Sequence, residues 1–230
     1  MTSESVTSET VSPPFGATDG PALENRAADL ALIVDSALRL AGIAGWTGGT
    51  LAQVAEDLDM PLARVLSLAP TRTAVLSAWG KQVDAQVLEG GLEMDPEESV
   101  RDRLFDLIMR RLDAIAPHKD AVAALPRACA GDPLLGLTAA MDLSHSMAMT
   151  LEAAGVGASG FGGLLRVKGL SALFLHILRI WLTDDSPDMA KTMAALDKAL
   201  DRAESAANSL FSRRGNGRRD SKSQDTATEA

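Results

Sequence analysis

The spacing of apolar residues along the chain predicts helices. From 22 to 44, apolar side chains such as Ile33, Val34 and Leu38 recur every three or four residues, as on the buried side of an amphipathic helix. The glycine-rich segment 45–49 ends this helix. Thr50 then fits the N-cap of a second helix, and Gln53 three residues later completes a capping box.

Two more helices follow closely. Pro61 fits the first position of a third helix over 61–68, after a tight turn at 59–61. Thr71 fits the cap of a fourth helix, which keeps Val75 and Trp79 on one face and stops at the glycines 90 and 91. A short helix, a tight turn and a second short helix predict a helix-turn-helix within a three-helix N-terminal unit.

The second half of the chain has the same periodicity over longer segments. Asp95 fits the cap of a helix that ends before Pro117, and helices over 119–130 and 133–154 follow. A glycine-rich break at 155–163 precedes a very apolar helix over 164–182. Ser186 as cap and Pro187 at the first position begin the last helix. Its apolar residues alternate at spacings of four and three, which favours packing on another helix: Met189, Met193, Leu196, Leu200, Ala203, Ala207 and Leu210.

Composition agrees with an all-α protein of two helical domains. Hydrophobic residues make up 46% of the 230 residues, yet aromatic ones only 3%, whereas strands favour β-branched and aromatic side chains. We expect a disordered tail at 1–20, a helix-turn-helix domain at 21–91 and a ligand-binding and dimerisation domain at 92–211. A basic disordered tail at 212–230 is a solvated end or a contact for nucleic acid or acidic lipid.

Cysteine usage and hydropathy bear on the cellular compartment. One cysteine, Cys129, excludes an internal disulfide framework and suits a reducing cytoplasm. The longest apolar run, 170–182, is shorter than the roughly 20 residues that span a bilayer. We therefore expect a cytoplasmic protein, with peripheral contact to a membrane left open.

The polar residues show no catalytic pattern. His118, His145 and His176 lack the spacing of metal ligands. Ser144 and His145 are adjacent, and helix neighbours one residue apart do not face each other. We expect no metal, no cofactor and no enzymatic activity.

Segments 33–41, 50–55 and 70–75 resemble the first helix, the second helix and the segment after the recognition helix of the TetR regulators. The resemblance implies a third helix that inserts into the major groove of DNA. It implies DNA contacts by Thr50, Arg64, Ser67, Thr71 and Arg72. Between 21 and 90, however, eight acidic and five basic residues leave a net charge of −3, the wrong sign for approaching phosphates. This charge favours a mainly structural helix-turn-helix.

The region 101–206 resembles a second family, the ubiquinone-biosynthesis accessory proteins, in segments 111–118, 154–161 and 185–188. This family is a branch of the TetR fold whose members bind isoprenoid lipids and assist a quinone hydroxylase. The resemblance implies a hydrophobic ligand between the C-terminal helices, where large adaptable side chains suit an apolar pocket. The candidate lining residues, each of which also fits an ordinary core, are Met147, Phe161, Leu164, Leu165, Phe174, Ile177 and Trp181.

Three functions follow from these observations. The leading hypothesis is an accessory protein that binds a lipid or quinone precursor. The alternative is a ligand-responsive DNA-binding regulator, and the third is an adaptor that binds a protein partner with its last helix. TetR-like proteins usually form homodimers through their last two long helices, so the dimer or partner helix carries Met189, Met193, Leu196 and Leu200. The same helix lying on a membrane surface is a further possibility.

Overall fold

The computed structural model describes residues 20–46, 49–89 and 98–206, and these form nine α-helices without a strand. A 3-10 turn, Ala116–His118, joins the fifth of these helices to the sixth. The prediction of an all-α fold is confirmed. The helices are α1 Gly20–Ala44, α2 Leu51–Asp57, α3 Leu62–Leu68, α4 Arg72–Glu89, α5 Val100–Ile115, α6 Lys119–Gly131, α7 Pro133–Ala153, α8 Gly160–Leu182 and α9 190–206.

The caps predicted at Thr50 and Thr71 form, whereas Pro61, predicted at the first position of the third helix, is its N-cap. The Thr50 hydroxyl accepts from the Gln53 backbone N–H at 3.3 Å, and the Gln53 side chain accepts from the Thr50 N–H at 2.8 Å. Asp59 has a φ of +48° in the turn between α2 and α3. The Thr71 hydroxyl accepts from the N–H of Ala74 at 3.1 Å at the start of α4. These short helices pack on α1, which also contacts α4.

Helix α5 begins at Val100. Ser99 is the N-cap of α5, and its hydroxyl accepts from the Asp102 N–H at 3.2 Å. The predicted cap at Asp95 lies outside the described residues. Asp132 caps α7, because its carboxylate accepts from the N–H groups of Leu134 and Leu135, both at 3.1 Å.

Helix α8 starts earlier than predicted. Gly160 is its first residue, so Phe161, Gly162 and Gly163 are helical instead of forming a break. At 23 residues and a mean hydropathy of 1.4, α8 is long and apolar enough to cross a membrane by length and composition. It nevertheless packs against α5 and α7. The side chains and one glycine that face the core are Gly163, Val167, Leu170, Phe174, Ile177 and Trp181.

Helix α9 begins three residues after its predicted start at Pro187. Pro187 lies in a turn, and Met189 has a φ of +52°, a conformation that interrupts a helix. Ser186 does act as a cap, because its hydroxyl accepts from the N–H of Ala190 at 3.1 Å. The prediction that Pro187 occupies the first helical position is wrong, since the chain needs a turn here to pass from α8 to α9.

One continuous apolar core joins both halves of the chain. Helix α4 packs against α1 on one side and against α5 and α7 on the other, while α1 also packs against α6. The indole N–H of Trp46 donates to the buried carbonyl of Ala121 at 2.8 Å. The predicted domain boundary at 91/92 falls outside the described residues and stays a prediction.

Candidate nucleic-acid and ligand surfaces

Arg64, the predicted base-contacting cation of α3, is paired within the protein. Its Nε and Nη2 donate to Oδ2 of Asp29 on α1, at 2.8 and 2.6 Å. Both side chains are about one-third exposed. Because such a pair contributes only about 0–1 kcal/mol, the pairing lowers the availability of Arg64 without making it inaccessible.

Arg72, the predicted phosphate contact at the start of α4, also bonds internally. Its guanidinium donates to the backbone carbonyl of Trp46 at 2.5 Å. The side chain borders a small cavity of about 20 Å³ between α1, α2 and α4. The volume is close to that of one water molecule, which is too small for an organic ligand. Arg72 therefore helps to hold the start of α4 against the end of α1.

The outward face of α3 carries no free cation. Leu62 and Leu66 are both about 40% exposed there, next to exposed Ala63 and Ser67. The Ser67 hydroxyl donates to the carbonyl of Arg64 at 2.7 Å. Thr50 and Thr71 are exposed at helix starts, where their hydroxyls serve as caps. All five predicted DNA-contacting residues thus take part in hydrogen bonds within the protein, although Thr50, Ser67, Thr71 and Arg72 remain exposed.

A third cation of the N-terminal half is paired in a contact that the sequence did not indicate. The Arg39 guanidinium bonds to the Asp57 carboxylate, which also accepts from the Ser36 hydroxyl at 2.7 Å. These contacts, first the Ser36 hydroxyl and then Arg39, lower the pKa of the Asp57 carboxyl. The network joins α1 to the end of α2.

Four of the predicted ligand-lining residues are packed in the core. Met147 and Ile177 are fully buried, and Phe174 and Trp181 are 5% and 3% exposed. Lys119 lies over the Trp181 ring, 5.2 Å from its centroid. These four side chains line neither the small cavity at Arg72 nor the open surface groove between α8 and α9.

The other three predicted ligand residues are on the surface. Phe161, Leu164 and Leu165 are 80%, 54% and 59% exposed on the first turns of α8. The seven candidates therefore divide between the buried core, with Met147 on α7, and the exposed first turns of α8. The three exposed ones form an apolar patch, the kind of surface that marks a contact site on a soluble protein. We call Phe161, Leu164 and Leu165 the α8 patch.

The predicted partner residues of the last helix face inward. Leu196 and Leu200 are almost fully buried, and Met189 and Met193 are half-buried. The seam of α9 thus packs on its own subunit and does not offer these leucines to a partner. Residues 207 and 210 of the seam lie outside the described part of the chain.

A buried polar cluster connects α4, α5 and α7. The Arg111 guanidinium donates to Asp84, which also accepts from the Ser146 hydroxyl at 2.7 and 2.8 Å. All three residues are at least 94% buried. The signal in the sequence was Asp84, an acidic residue next to Val83 on the buried face of α4. The spacing of residues along the chain did not predict this cluster.

The histidines have no common site. His118 lies edge-on to Trp79, and its Nε2 is 3.5 Å from Oδ1 of Asp35. The Ser144 hydroxyl donates to the Ala140 carbonyl at 2.7 Å. Within the described ranges, no three His, Cys, Asp or Glu side chains are grouped as metal ligands.

Solved structures with this arrangement of helices are TetR regulators. A TetR transcriptional regulator from Nitrosomonas europaea ATCC 19718 superposes with a TM-score of 0.65 at 21% identity, over 77% of this chain and 98% of that one. A TetR transcriptional regulator from Rhodococcus sp. RHA1 gives 0.56 at 14% identity, over 77% and 96%. No protein-family model matches the sequence, and no curated protein matches it. The chain therefore has the TetR fold, with a helix-turn-helix joined to a larger helical bundle.

Proposed function

We propose that this protein binds a hydrophobic ligand through its C-terminal helices and keeps its helix-turn-helix mainly as a structural unit. The observation that carries the proposal is the outward face of α3, where Leu62 and Leu66 are exposed and the single cation, Arg64, is paired with Asp29. Binding to DNA depends on several cations that neutralise phosphates. The exposed α8 patch supports an apolar partner instead.

The finer form of the proposal concerns the ligand and its pathway. The resemblance of region 101–206 to the ubiquinone-biosynthesis accessory family supports an isoprenoid lipid or quinone precursor. In this role the protein is a non-enzymatic accessory factor of the cytoplasm, and the α8 patch meets the lipid or the membrane surface that supplies it.

Native mass spectrometry of the purified protein, followed by organic extraction, tests this function. Leu164→Asp and Leu165→Asp change exposed residues, so the fold should survive. We expect either change to reduce the extracted lipid at least several-fold. The matched control is Leu134→Asp, which alters an equally exposed leucine on α7. A wild-type protein without lipid, or equal lipid in all variants, contradicts the proposal.

A DNA-binding, ligand-responsive regulator is the second candidate. It is supported by the capping box at the start of α2 and by α4, which packs on both α1 and α7 and so connects the two halves. Fluorescence anisotropy with a pool of duplexes should then show binding that falls steeply with salt. Arg64→Ala should weaken it, and Arg127→Ala on the exposed side of α6 should not. Undetectable binding at low salt excludes this candidate.

Self-association is the third element of the proposal. With Leu196 and Leu200 buried in the subunit, we place the homodimer contact on the outward side of α8, where Ala172 and Leu175 are exposed. Apolar helix faces of this kind commonly pair in symmetric dimers. Light scattering should give a dimer for the wild type and a monomer for Leu175→Asp. A monomeric wild type contradicts this contact, and the buried seam on α9 makes the adaptor hypothesis the least supported of the three.

A further inference from the structure

The outward side of α3 is apolar where a recognition helix would carry cations. Leu62 and Leu66 are one turn apart and therefore lie on the same side of this helix, and they are 42% and 41% exposed. Ala63 beside them and Pro70 just beyond the end of α3 are exposed as well. We call Leu62, Ala63, Leu66 and Pro70 the α3 face. Adjoining apolar residues in contact with water mark a contact site.

The α3 face takes no part in the packing of the helix-turn-helix or in the proposed self-association. Helix α3 packs on α1 and α2, and its Val65 is fully buried. Helix α8, on which we place the homodimer contact, packs against α5 and α7 in the other half of the chain. The α3 face therefore remains accessible when two subunits associate through α8.

The charges next to the α3 face are negative. The helix-turn-helix, 51–68, contains three acidic residues and one basic residue, a net charge of −2. Asp57 and Arg64 are paired with side chains of α1. Glu56 and Asp59 are exposed, and neither carboxylate makes a hydrogen bond or ion pair with the described residues. Two carboxylates of this segment are thus left for a partner.

These two carboxylates precede the apolar residues directly in the chain. Asp59 lies in the turn, three residues before Leu62, and Glu56 lies near the end of α2. The next cation after α3 is Arg72, whose guanidinium donates to the Trp46 carbonyl. Negative charge beside an apolar surface opposes the approach of phosphates and favours a cationic partner.

We infer that the α3 face binds a basic amphipathic helix of a partner protein. Apolar side chains of the partner, spaced three and four residues apart, cover Leu62 and Leu66 and remove their surface from water. Lysines or arginines beside this stripe pair with Glu56 and Asp59 and fix the orientation of the partner helix. This role goes beyond the binding of a lipid and does not depend on it.

Fluorescence anisotropy with a labelled synthetic peptide tests the surface, with the full chain as titrant. The peptide carries leucines at every third or fourth position and lysines elsewhere, so that its helix has one apolar side. We expect binding that weakens at least ten-fold when glutamates replace the lysines. A peptide of the same composition without the leucine periodicity should also bind at least ten-fold more weakly. Equal binding of the basic and acidic peptides, or of the ordered and scrambled ones, overturns the inference.

The double variant Glu56→Gln/Asp59→Asn tests the charges. Asparagine tolerates the positive φ found at Asp59, so the turn should persist. Binding of the basic peptide should fall at least five-fold. Asp106→Asn/Asp113→Asn removes two exposed carboxylates of α5 and changes the net charge equally, and it should leave binding unchanged. Equal losses in the two double variants would show a response to net charge alone and contradict the inference.

The double variant Leu62→Ser/Leu66→Ser tests the apolar part. Binding should fall at least ten-fold, while circular dichroism should show unchanged helix content because both leucines are partly exposed. Leu134→Ser/Leu137→Ser alters two exposed leucines of α7 and should bind the peptide like the wild type. Unchanged binding in the α3 variant overturns the inference. If that variant loses helix, the charge variant and the mapping below decide.

Hydrogen exchange of the wild type locates the bound peptide. The peptide should slow exchange in α2 and α3 and leave α7 and α8 unchanged. Protection confined to the α8 patch would place the peptide there and contradict the inference. Duplex DNA that displaces the peptide at physiological salt, and that binds more weakly to Arg64→Ala, would assign the α3 face to DNA and overturn it.

Discussion

Asp184 stabilises the connection between α8 and α9 through its carboxylate. The buried side chain accepts hydrogen bonds from the backbone N–H and hydroxyl of Ser186 and from those of Thr192, at 2.5 to 3.1 Å. These contacts, first Ser186 and then Thr192, hold the pKa of the Asp184 carboxyl well below its usual range. Lys119 donates to the Asp184 carbonyl at 3.0 Å and joins this turn to the start of α6.

Asp184→Asn should therefore destabilise the protein in a pH-dependent way. The pKa of the group is lower in the folded state than in the unfolded one, where it is about 3.9. Its contribution to stability is thus present above about pH 4 and is lost as the pH falls further. In thermal unfolding, the variant should melt lower than wild type at pH 7, and the difference should shrink at pH 3. Asp185→Asn, on an exposed neighbour, is the control, and a pH-independent difference would contradict the prediction.

The buried ion pair of Asp84 and Arg111 gives a second prediction for single residues. Replacing Asp84 by Ala leaves the guanidinium buried without its carboxylate, which should cost roughly 3–5 kcal/mol in urea unfolding. Ser146→Ala removes one hydrogen-bond donor and should cost about 1 kcal/mol. The double variant Asp84→Met/Arg111→Met should recover part of the loss, because no charge remains buried. If the double variant lost as much stability as Asp84→Met and Arg111→Met together, this account would be contradicted.

At the scale of helices, the sequence predicted a helix start correctly where contacts between near neighbours in the chain determine it. The Thr50–Gln53 capping box and the Thr71 cap depend on neighbours within three residues, and both form as expected. The starts of α8 and α9 depend on tertiary packing. Helix α8 can begin at Gly160 because Gly163 permits close approach to Ala158 in the preceding turn, and Met189 adopts a positive φ because the chain must turn there.

The first turn of α8 gives a prediction with an internal control. A Cβ on Gly163 would lie 2.1 Å from backbone atoms of Ala158, whereas one on Gly162 would meet nothing within 4 Å. Gly163→Ala should therefore cost about 1–3 kcal/mol through overpacking. Gly162→Ala should be neutral or stabilise by up to about 1 kcal/mol, since alanine favours helix. Urea unfolding of the two variants checks this, and equal stabilities would mean that the close approach at Gly163 is not needed.

At the scale of the molecule, periodicity identified the apolar residues but not their partners. Phe161 and Phe174 both fit an apolar site in the sequence, yet they lie on opposite sides of α8, one exposed and one buried. Arg64, Arg72 and Arg39 likewise bond to residues that are 18 to 35 positions away in the sequence. Contacts of this range depend on how helices pack, and spacing along one helix does not encode them.

The shared core implies that the two halves of the chain unfold together. Trp46 bonds across to Ala121, and the Ser77 hydroxyl on α4 donates to Asp142 on α7 at 2.5 Å. Far-UV circular dichroism reports all helices, while the tryptophans at 46, 79 and 181 report both halves. Both signals should give a single urea transition with one midpoint.

Trp46→Phe tests this coupling, because it removes the hydrogen bond to Ala121 and keeps an aromatic side chain in the core. The loss of one buried bond should cost about 1–3 kcal/mol, since the Ala121 carbonyl loses its indole donor. If the halves are coupled, hydrogen exchange should accelerate in α7 and α8 as well as in α2 and α3. Acceleration confined to the helix-turn-helix would instead define it as a separate folding unit, and the boundary predicted at 91/92 would then be a thermodynamic one.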